Sequence, residues 1–174
     1  MIKEAIMALS PEQRRSESQF VIEQLRHIIE QSGARVVALF SPLGDEVQIM
    51  PLVDMLSAEC RVVVPRVEDR ADGTPHMEFY DLSLSSLEEG SFGIMEPQGR
   101  SMCSADEIDL MVLPGVAFSS SGVRLGRGKG YYDRYLARDG FRAFTIGVCY
   151  ACQRRESLPR EEYDRVVEMV IFGE

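Results

Sequence analysis

The sequence predicts an α/β fold: a three-layer sandwich with a mostly parallel central sheet and helices on both faces. Three observations lead there. Short, wholly apolar runs recur along the chain between turn signals, as strands buried on both faces require. Segments with helical spacing of apolar residues alternate with those runs, the pattern that pairs parallel strands through covering helices. The 174 residues, 45% of them apolar, supply one sizeable core and are too few for two ordinary domains, so residues 1–174 are read as a single domain.

The elements follow in order. Ser10-Pro11-Glu12-Gln13 is a helix start, with Ser at the N-cap, Pro in the first turn and Gln three residues on. Phe20, Val21, Leu25, Ile28 and Ile29 continue with helical spacing, and Gly33 ends the helix. Arg35 to Phe40 is a buried strand, Ile49 to Leu56 reads as a helix, and Cys60 to Val64 is a second strand. Met77-Glu78-Phe79-Tyr80 forms a minor strand after the Asp72-Gly73 turn, and Asp81 to Gly99 reads mostly as loop. Ile108 to Leu113 is a third buried strand closed by Pro114-Gly115. A helix opens at Gly130 and runs to Ala137, and Ala143 to Cys149 and Val166 to Phe172 supply two more strands. Ligands of such sheets bind beyond the carboxyl ends of the strands, so loops 41–46, 114–130 and 150–164 are expected to converge.

Charge narrows the function. A net charge of −9 repels a polyphosphate backbone, which excludes general nucleic-acid binding but leaves room for a local site for a small anion. No apolar run reaches the roughly 18 residues of a membrane span, and the N-terminal stretch turns polar too soon for a signal peptide. Cys60, Cys103, Cys149 and Cys152 are too few and too scattered for a disulfide framework, so the expected compartment is the reducing cytoplasm. Cys149-Tyr150-Ala151-Cys152 has redox spacing but follows a strand instead of opening a helix after one. His27 on a helix and His76 on a loop lack the clustered cysteines of a zinc site, and the nine methionines read as core filler.

One segment concentrates chemistry. Residues 122–130 read GVRLGRGKG, and glycines at 126, 128 and 130 allow positive φ and close approach of a ligand to backbone N–H groups. The next helix adds the partial positive charge of its N-terminus. Arg124, Arg127, Lys129 and Arg134 crowd this stretch of an acidic chain against a single Asp133. Arginine grips phosphate with a fork and lysine as a point charge. The stretch is neither a P-loop, since Gly130 follows Lys129, nor a dinucleotide fingerprint, since residue 131 is Tyr. Tyr131, Tyr132 and Asp133 suit a ring-binding wall and a Mg²⁺ ligand beside phosphates.

The stretch LPGVAFSSSGVRLGRGKGYYDRYL resembles the signature of the 5-formyltetrahydrofolate cyclo-ligase family. The resemblance extends to Leu9-Ser10-Pro11-Glu12, Asp45-Glu46, Val64-Pro65-Arg66 and Phe92-Gly93-Ile94-Met95-Glu96-Pro97, and so spans nearly the whole chain. It implies an enzyme that uses ATP and Mg²⁺ to close a small-molecule substrate, 5-formyltetrahydrofolate, into 5,10-methenyltetrahydrofolate; a monomer is expected. By similarity, Arg124, Leu125, Gly126, Arg127, Gly128, Lys129, Gly130, Tyr131 and Tyr132 wrap the ATP phosphates, with Lys129 and Arg127 as catalytic residues. Arg127, Gly128, Lys129, Gly130 and Tyr131 also touch the folate, Glu46 and the backbone near Ser41 match the positions that hold the pterin, and Asp133 and Asp164 match the magnesium carboxylates. The resemblance further implies a Lys/Arg-containing segment ahead of the first helix; Lys3, the only basic residue before Arg14, does not match it by register. That departure motivates a rival expectation, a module that binds reduced folate or nucleotide without turnover. A phosphosugar isomerase or transferase on a similar sheet is a third class, but no general base stands near the glycine loop. Glu168 replaces a usual Asp of the family.

Overall fold

Side-chain alternation along the central strands builds two cores at once. Val37, Leu39, Val64, Leu110, Val112, Ile146 and Val148 join one apolar cluster. Their chain neighbours Ala38, Val63, Met111, Leu113 and Cys149 join a second, on the other face of the sheet. The computed structural model describes residues 1–56, 58, 60–82, 87–90, 95–97 and 101–174. Two helices open the chain, α1 (Ile2–Ala8) and α2 (Pro11–Ser32), followed by strand β1 (Val36–Ala38). After a 3₁₀ turn at Met50–Met55 come β2 (Arg61–Asp69), β3 (Pro75–Asp81), β4 (Leu87–Glu89), β5 (Met95–Pro97) and β6 (Met102–Cys103). The rest is β7 (Leu110–Leu113), β8 (Ala117–Ser119), β9 (Arg124–Leu125), helix α3 (Tyr131–Leu136), β10 (Phe144–Cys149), β11 (Arg154–Arg155) and β12 (Met169–Phe172).

Seven strands form the main sheet in the order β12-β10-β7-β1-β2-β3-β6. The first five run parallel, with Val37 paired to Val62 and Leu110, and Gly147 paired to Leu113 and Val170. β3 and β6 add antiparallel to one edge. The chain leaves β1 toward β2 on one side and leaves β7 toward β10 on the other, so strand order reverses between β1 and β7. That reversal opens a crevice at the carboxyl ends of these two strands. Helix α2 covers one face through Val21, Ile22, Leu25 and Ile29. Helix α3, through Tyr135, and Phe118 of β8 cover the other.

The start of α2 is capped as its sequence implies. Ser10 Oγ accepts from the Gln13 N–H at 3.1 Å, Gln13 Oε1 accepts from the Ser10 N–H at 2.8 Å, and Gly33 ends the helix at φ +68°. Elsewhere the structure corrects the expectations. The Ile49–Leu56 helix is a 3₁₀ turn, with Pro51 in its first turn. The minor strand at 77–80 is a seven-residue member of the main sheet, and His76 stands within it instead of on a loop. In the 81–99 segment, expected as loop, β4 and β5 pair antiparallel; Phe92, Gly93 and Ile94 lie outside the described residues. The first-turn helix α1 and the short strands β8, β9 and β11, which form a separate small sheet, were not expected.

The small sheet matters because it carries the glycine loop, and one aromatic ring seats it. Phe118 is fully buried. Its ring lies 2.7 Å from where a methyl group on Gly115 would stand, and a methyl on Gly147 would collide with it. Gly147→Ala is therefore expected to cost about 1–3 kcal/mol of unfolding free energy, as overpacking of a tight core does. Denaturant melts of wild type and variant measure it; a difference within about 0.5 kcal/mol, the scale of a neutral surface change, would mean that the ring does not seat on that glycine.

Candidate active site

The crevice between β1 and β7 is a cleft of about 640 Å³, a volume that suits a drug-sized ligand. Phe40 and Ser41 enter it from the end of β1, Leu43 and Glu46 from the loop that follows, and Pro114 and Gly115 from the end of β7. The whole run from Arg124 to Asp133 lines it, as do Pro159, Glu161 and Asp164. The three loops expected to converge do so, and every residue singled out as a site candidate from the sequence reaches the cleft.

The glycine loop is built by its ends. β9 pairs with β8 through Ala117–Leu125 and Phe118–Arg124, which fixes where the loop leaves. Arg124 Nη2 donates to Asp133 Oδ2 at 3.0 Å, which fixes where it returns, in the first turn of α3. The arginine side chain is 5% exposed, so its charge is largely withdrawn from solvent and neutralised within the loop. Its Nε is buried without a partner. Asp133 Oδ1 accepts a second bond from the Arg165 N–H at 3.2 Å, tying the 161–165 loop to the same carboxylate. Gly128 (φ +83°) and Gly130 (φ +68°) adopt the left-handed conformation that side chains resist; Gly126 does not, and serves instead to let Arg124 Nη1 pass 3.0 Å from the position a Cβ would take. At Gly128 a Cβ would meet nothing within 4 Å, so this part of the loop faces open space. Lys129 beside it is exposed.

Arg127 crosses the cleft. Its Nη2 donates to Asp45 Oδ1 at 2.7 Å and to Glu46 Oε1 at 3.0 Å, and its Nε donates to the same Glu46 oxygen at 3.2 Å. Burial pulls its pKa down, but the two carboxylates outweigh burial and leave it raised. Glu46 Oε2 accepts from the Leu43 N–H at 2.9 Å, so Arg127 and Leu43 hold the buried carboxylate, and the Glu46 backbone carbonyl accepts from Tyr150 Oη at 2.9 Å. Ser41 is also buried, and its hydroxyl has no partner although it lines the cleft. An orphaned buried hydroxyl is costly and waits for a ligand bond.

The tyrosines are arranged as walls. The Arg134 guanidinium lies 5.3 Å from the centre of the Tyr131 ring and that of Arg124 5.5 Å from the Tyr132 ring. Burial, then Glu46, push the Tyr132 phenol well above its ordinary range, so it stays a neutral hydroxyl. Asp164 accepts from the Glu161 N–H at 2.7 Å in a tight local turn. Among the described residues no group of three or more His, Cys, Asp or Glu side chains could cage a metal. Asp133 and Asp164, the two carboxylates expected to serve Mg²⁺, both line the cleft, as do Glu46, Glu96 and Glu161. The Cys149–Cys152 pair is free, and burial pushes the Cys149 thiol up, away from redox chemistry.

Sequence reasoning missed one wall of the cleft: Pro65 and Val67 of β2, Met77 of β3 and Glu96 of β5. Glu96 is 6% exposed; burial raises its pKa against the pull of the Val67 N–H, which it accepts at 3.2 Å, and of Arg66. The Val64-Pro65-Arg66 and Met95-Glu96-Pro97 segments carried a signal of resemblance but nothing that placed them at the site.

Comparison with known proteins gives one answer. The 5-formyltetrahydrofolate cyclo-ligase family matches residues 1–173. The 5-formyltetrahydrofolate cyclo-ligase of Escherichia coli is 30% identical over 175 residues, which cover 98% of this chain and 96% of that protein. That of Haemophilus influenzae is 30% identical over 170 residues, 92% of this chain and 88% of that one. The structure of a 5,10-methenyltetrahydrofolate synthetase from Aquifex aeolicus superposes with a TM-score of 0.84 at 35% identity, covering 98% of this chain and 85% of that chain. A second, from Mycoplasma pneumoniae, gives 0.76 at 25% identity, with 98% and 93% covered. The match runs from the first helix through the glycine loop to the last strand, and the chain belongs to the 5-formyltetrahydrofolate cyclo-ligase family.

Proposed function

We propose that this chain is the ligase its family name describes, closing 5-formyltetrahydrofolate to 5,10-methenyltetrahydrofolate with conversion of ATP to ADP and phosphate. The observation that carries the reading is one cleft in which a basic glycine loop faces a buried carboxylate, Glu46, and an unpartnered buried hydroxyl, Ser41. A formyl oxygen leaves poorly; ATP supplies the phosphoryl group that lets it depart as phosphate once N10 has bonded to the formyl carbon, and Mg²⁺ shields the charge.

The protein's part is to position and neutralise. Glu46 and Ser41 hold the pterin: a carboxylate accepts two N–H donors of such a ring, and the hydroxyl gains its missing bond. The open backbone at Gly128 and the cations Arg127 and Lys129 receive phosphates. Lys129 neutralises the transferring group, when charge is greatest. Asp133 and Asp164 hold Mg²⁺, and Tyr131 and Tyr132 wall the ring sites. Arg124 supports this from below, through Asp133, more than it grips phosphate. A module that binds without turnover finds no support in the family match. The residues assigned to ligands line one cleft of one chain, which favours a monomer. Among the described residues no helix is long and apolar enough to cross a membrane, and the four cysteines are free thiols, in keeping with a cytoplasmic setting.

The direct test is formation of the methenyl product, followed by its near-ultraviolet absorbance with ATP, Mg²⁺ and 5-formyltetrahydrofolate. Bound folate with no ATP-dependent signal would sink the reading. Lys129→Ala is expected to lower kcat by roughly 10²- to 10³-fold, the scale of losing one charge-stabilising group, with a much smaller change in folate affinity; kcat near wild type would remove Lys129 from that role. Asp133→Asn is expected to raise the Mg²⁺ concentration needed for half-maximal rate. It also leaves Arg124 half-partnered, so the variant should lose on the order of 2 kcal/mol of stability. An unchanged magnesium titration, with only the stability loss, would make Asp133 a purely structural residue.

A further inference from the structure

The Arg127 bridge sets two expected ligands against each other. Arg127 belongs to the loop that receives phosphates, yet its Nε and Nη2 are tied to Asp45 and Glu46. Glu46 is the carboxylate that receives the pterin, yet its Oε1 already accepts two N–H bonds from Arg127 and its Oε2 accepts a third from Leu43. A carboxylate has about four lone-pair sites, so little of Glu46 is left for a ring. The pair spans 81 residues of sequence and joins opposite lips of one cleft. The Glu46 side chain is 8% exposed, so it cannot turn to solvent when it lets go.

Resting on the reading of the cleft given above, we propose that Asp45 is a positioning residue that holds Arg127 in a locked cleft, and that release of this lock makes nucleotide and folate bind cooperatively. Two states suffice. In the locked state Arg127 is tied to Asp45 and Glu46. In the open state Arg127 serves a phosphate and Glu46 serves the pterin. Each ligand prefers the open state, because each replaces a bond that opening breaks: an anion takes the arginine, and ring N–H donors take the carboxylate. The first ligand to bind carries the cost of opening, and the second does not. Apparent affinity for either ligand alone is reduced by the small fraction of open protein.

Asp45 is the member of the lock best suited to a test. It is not placed against either ligand, its side chain is 24% exposed, and its bond to Arg127 is the shortest of the three at 2.7 Å. Asp45→Asn keeps the shape and removes the charge, so the locked state loses a holder while the ligand contacts remain. Each ligand alone then binds more tightly to the variant than to wild type, while the cooperativity between them shrinks. Damage to the cleft would instead weaken both ligands. Asp45→Glu, which restores the charge, should return toward wild type.

The experiment is titration calorimetry on the whole chain with Mg²⁺ and two probes, an ATP analogue with a non-hydrolysable β–γ bridge and 5-formyltetrahydrofolate. Each is titrated alone and in the presence of the other. Wild type should show each probe tightening the other by the same factor, within the roughly 5- to 150-fold usual for coupled sites. Asp45→Asn should bind each probe alone more tightly and show a coupling factor several-fold closer to one. A wild-type factor near one, in protein that forms methenyl product, overturns the lock and leaves the proposed reaction standing. Weaker binding of both probes to Asp45→Asn with coupling unchanged also overturns it. Absence of product from wild type overturns the proposed reaction and this inference with it.

Discussion

Arg124 and Asp133 stand nine residues apart at the two ends of the glycine loop, and their 3.0 Å ion pair closes it. Loops rich in glycine lose much entropy when ordered, and the closing contact must offset that loss. A pair whose arginine is 5% exposed is well suited, because breaking it would strand a buried charge. The same carboxylate accepts the Arg165 N–H, so closing the loop also draws in the segment that bears Asp164. The glycine-loop wall of the cleft, the Tyr132 ring beside Arg124 and the placing of Asp133 rest on this contact.

Charge explains why the loop must be managed so closely. The chain carries −9 overall, and a cluster of arginines and a lysine in it would be drawn to carboxylates wherever they stand. The fold turns that attraction to use. Arg124 takes Asp133, Arg127 takes Asp45 and Glu46, and Arg134 donates to the Lys129 carbonyl at 2.9 Å, which ties loop to helix. In the proposed reaction, anions and ring donors that enter the cleft would exchange partners with groups already in place. Preorganisation of this kind costs little at the moment of reaction.

What the sequence disclosed follows from which interactions are local. The Ser10–Gln13 cap is read from residues three apart, and the five parallel strands announce themselves as continuous apolar runs. The glycines and cations of 124–133 were legible because closeness in sequence is closeness in the loop. β6, β8, β9 and β11 escaped because two- or three-residue strands carry no period, and β3 was legible only as a minor strand because it mixes polar and apolar residues. The turn at Met50–Met55 has apolar spacing that fits a helix, and only its tertiary setting tightens it to 3₁₀. No local pattern reveals that Arg127 lies across from Glu46, that Phe118 wedges against Gly147, or that Met77 and Glu96 wall the cleft. Those are long-range contacts, set by how the strands are ordered.

The central claim is that one cleft seats both a nucleotide's phosphates and a reduced folate, with the glycine loop between them. A crystal structure with Mg²⁺, a non-hydrolysable ATP analogue and 5-formyltetrahydrofolate tests it most directly. The account predicts phosphate oxygens on the 126–130 backbone, the pterin on Glu46 and Ser41, and the metal at Asp133 and Asp164. A nucleotide bound away from the loop, or a folate that leaves Glu46 paired with Arg127, would contradict it.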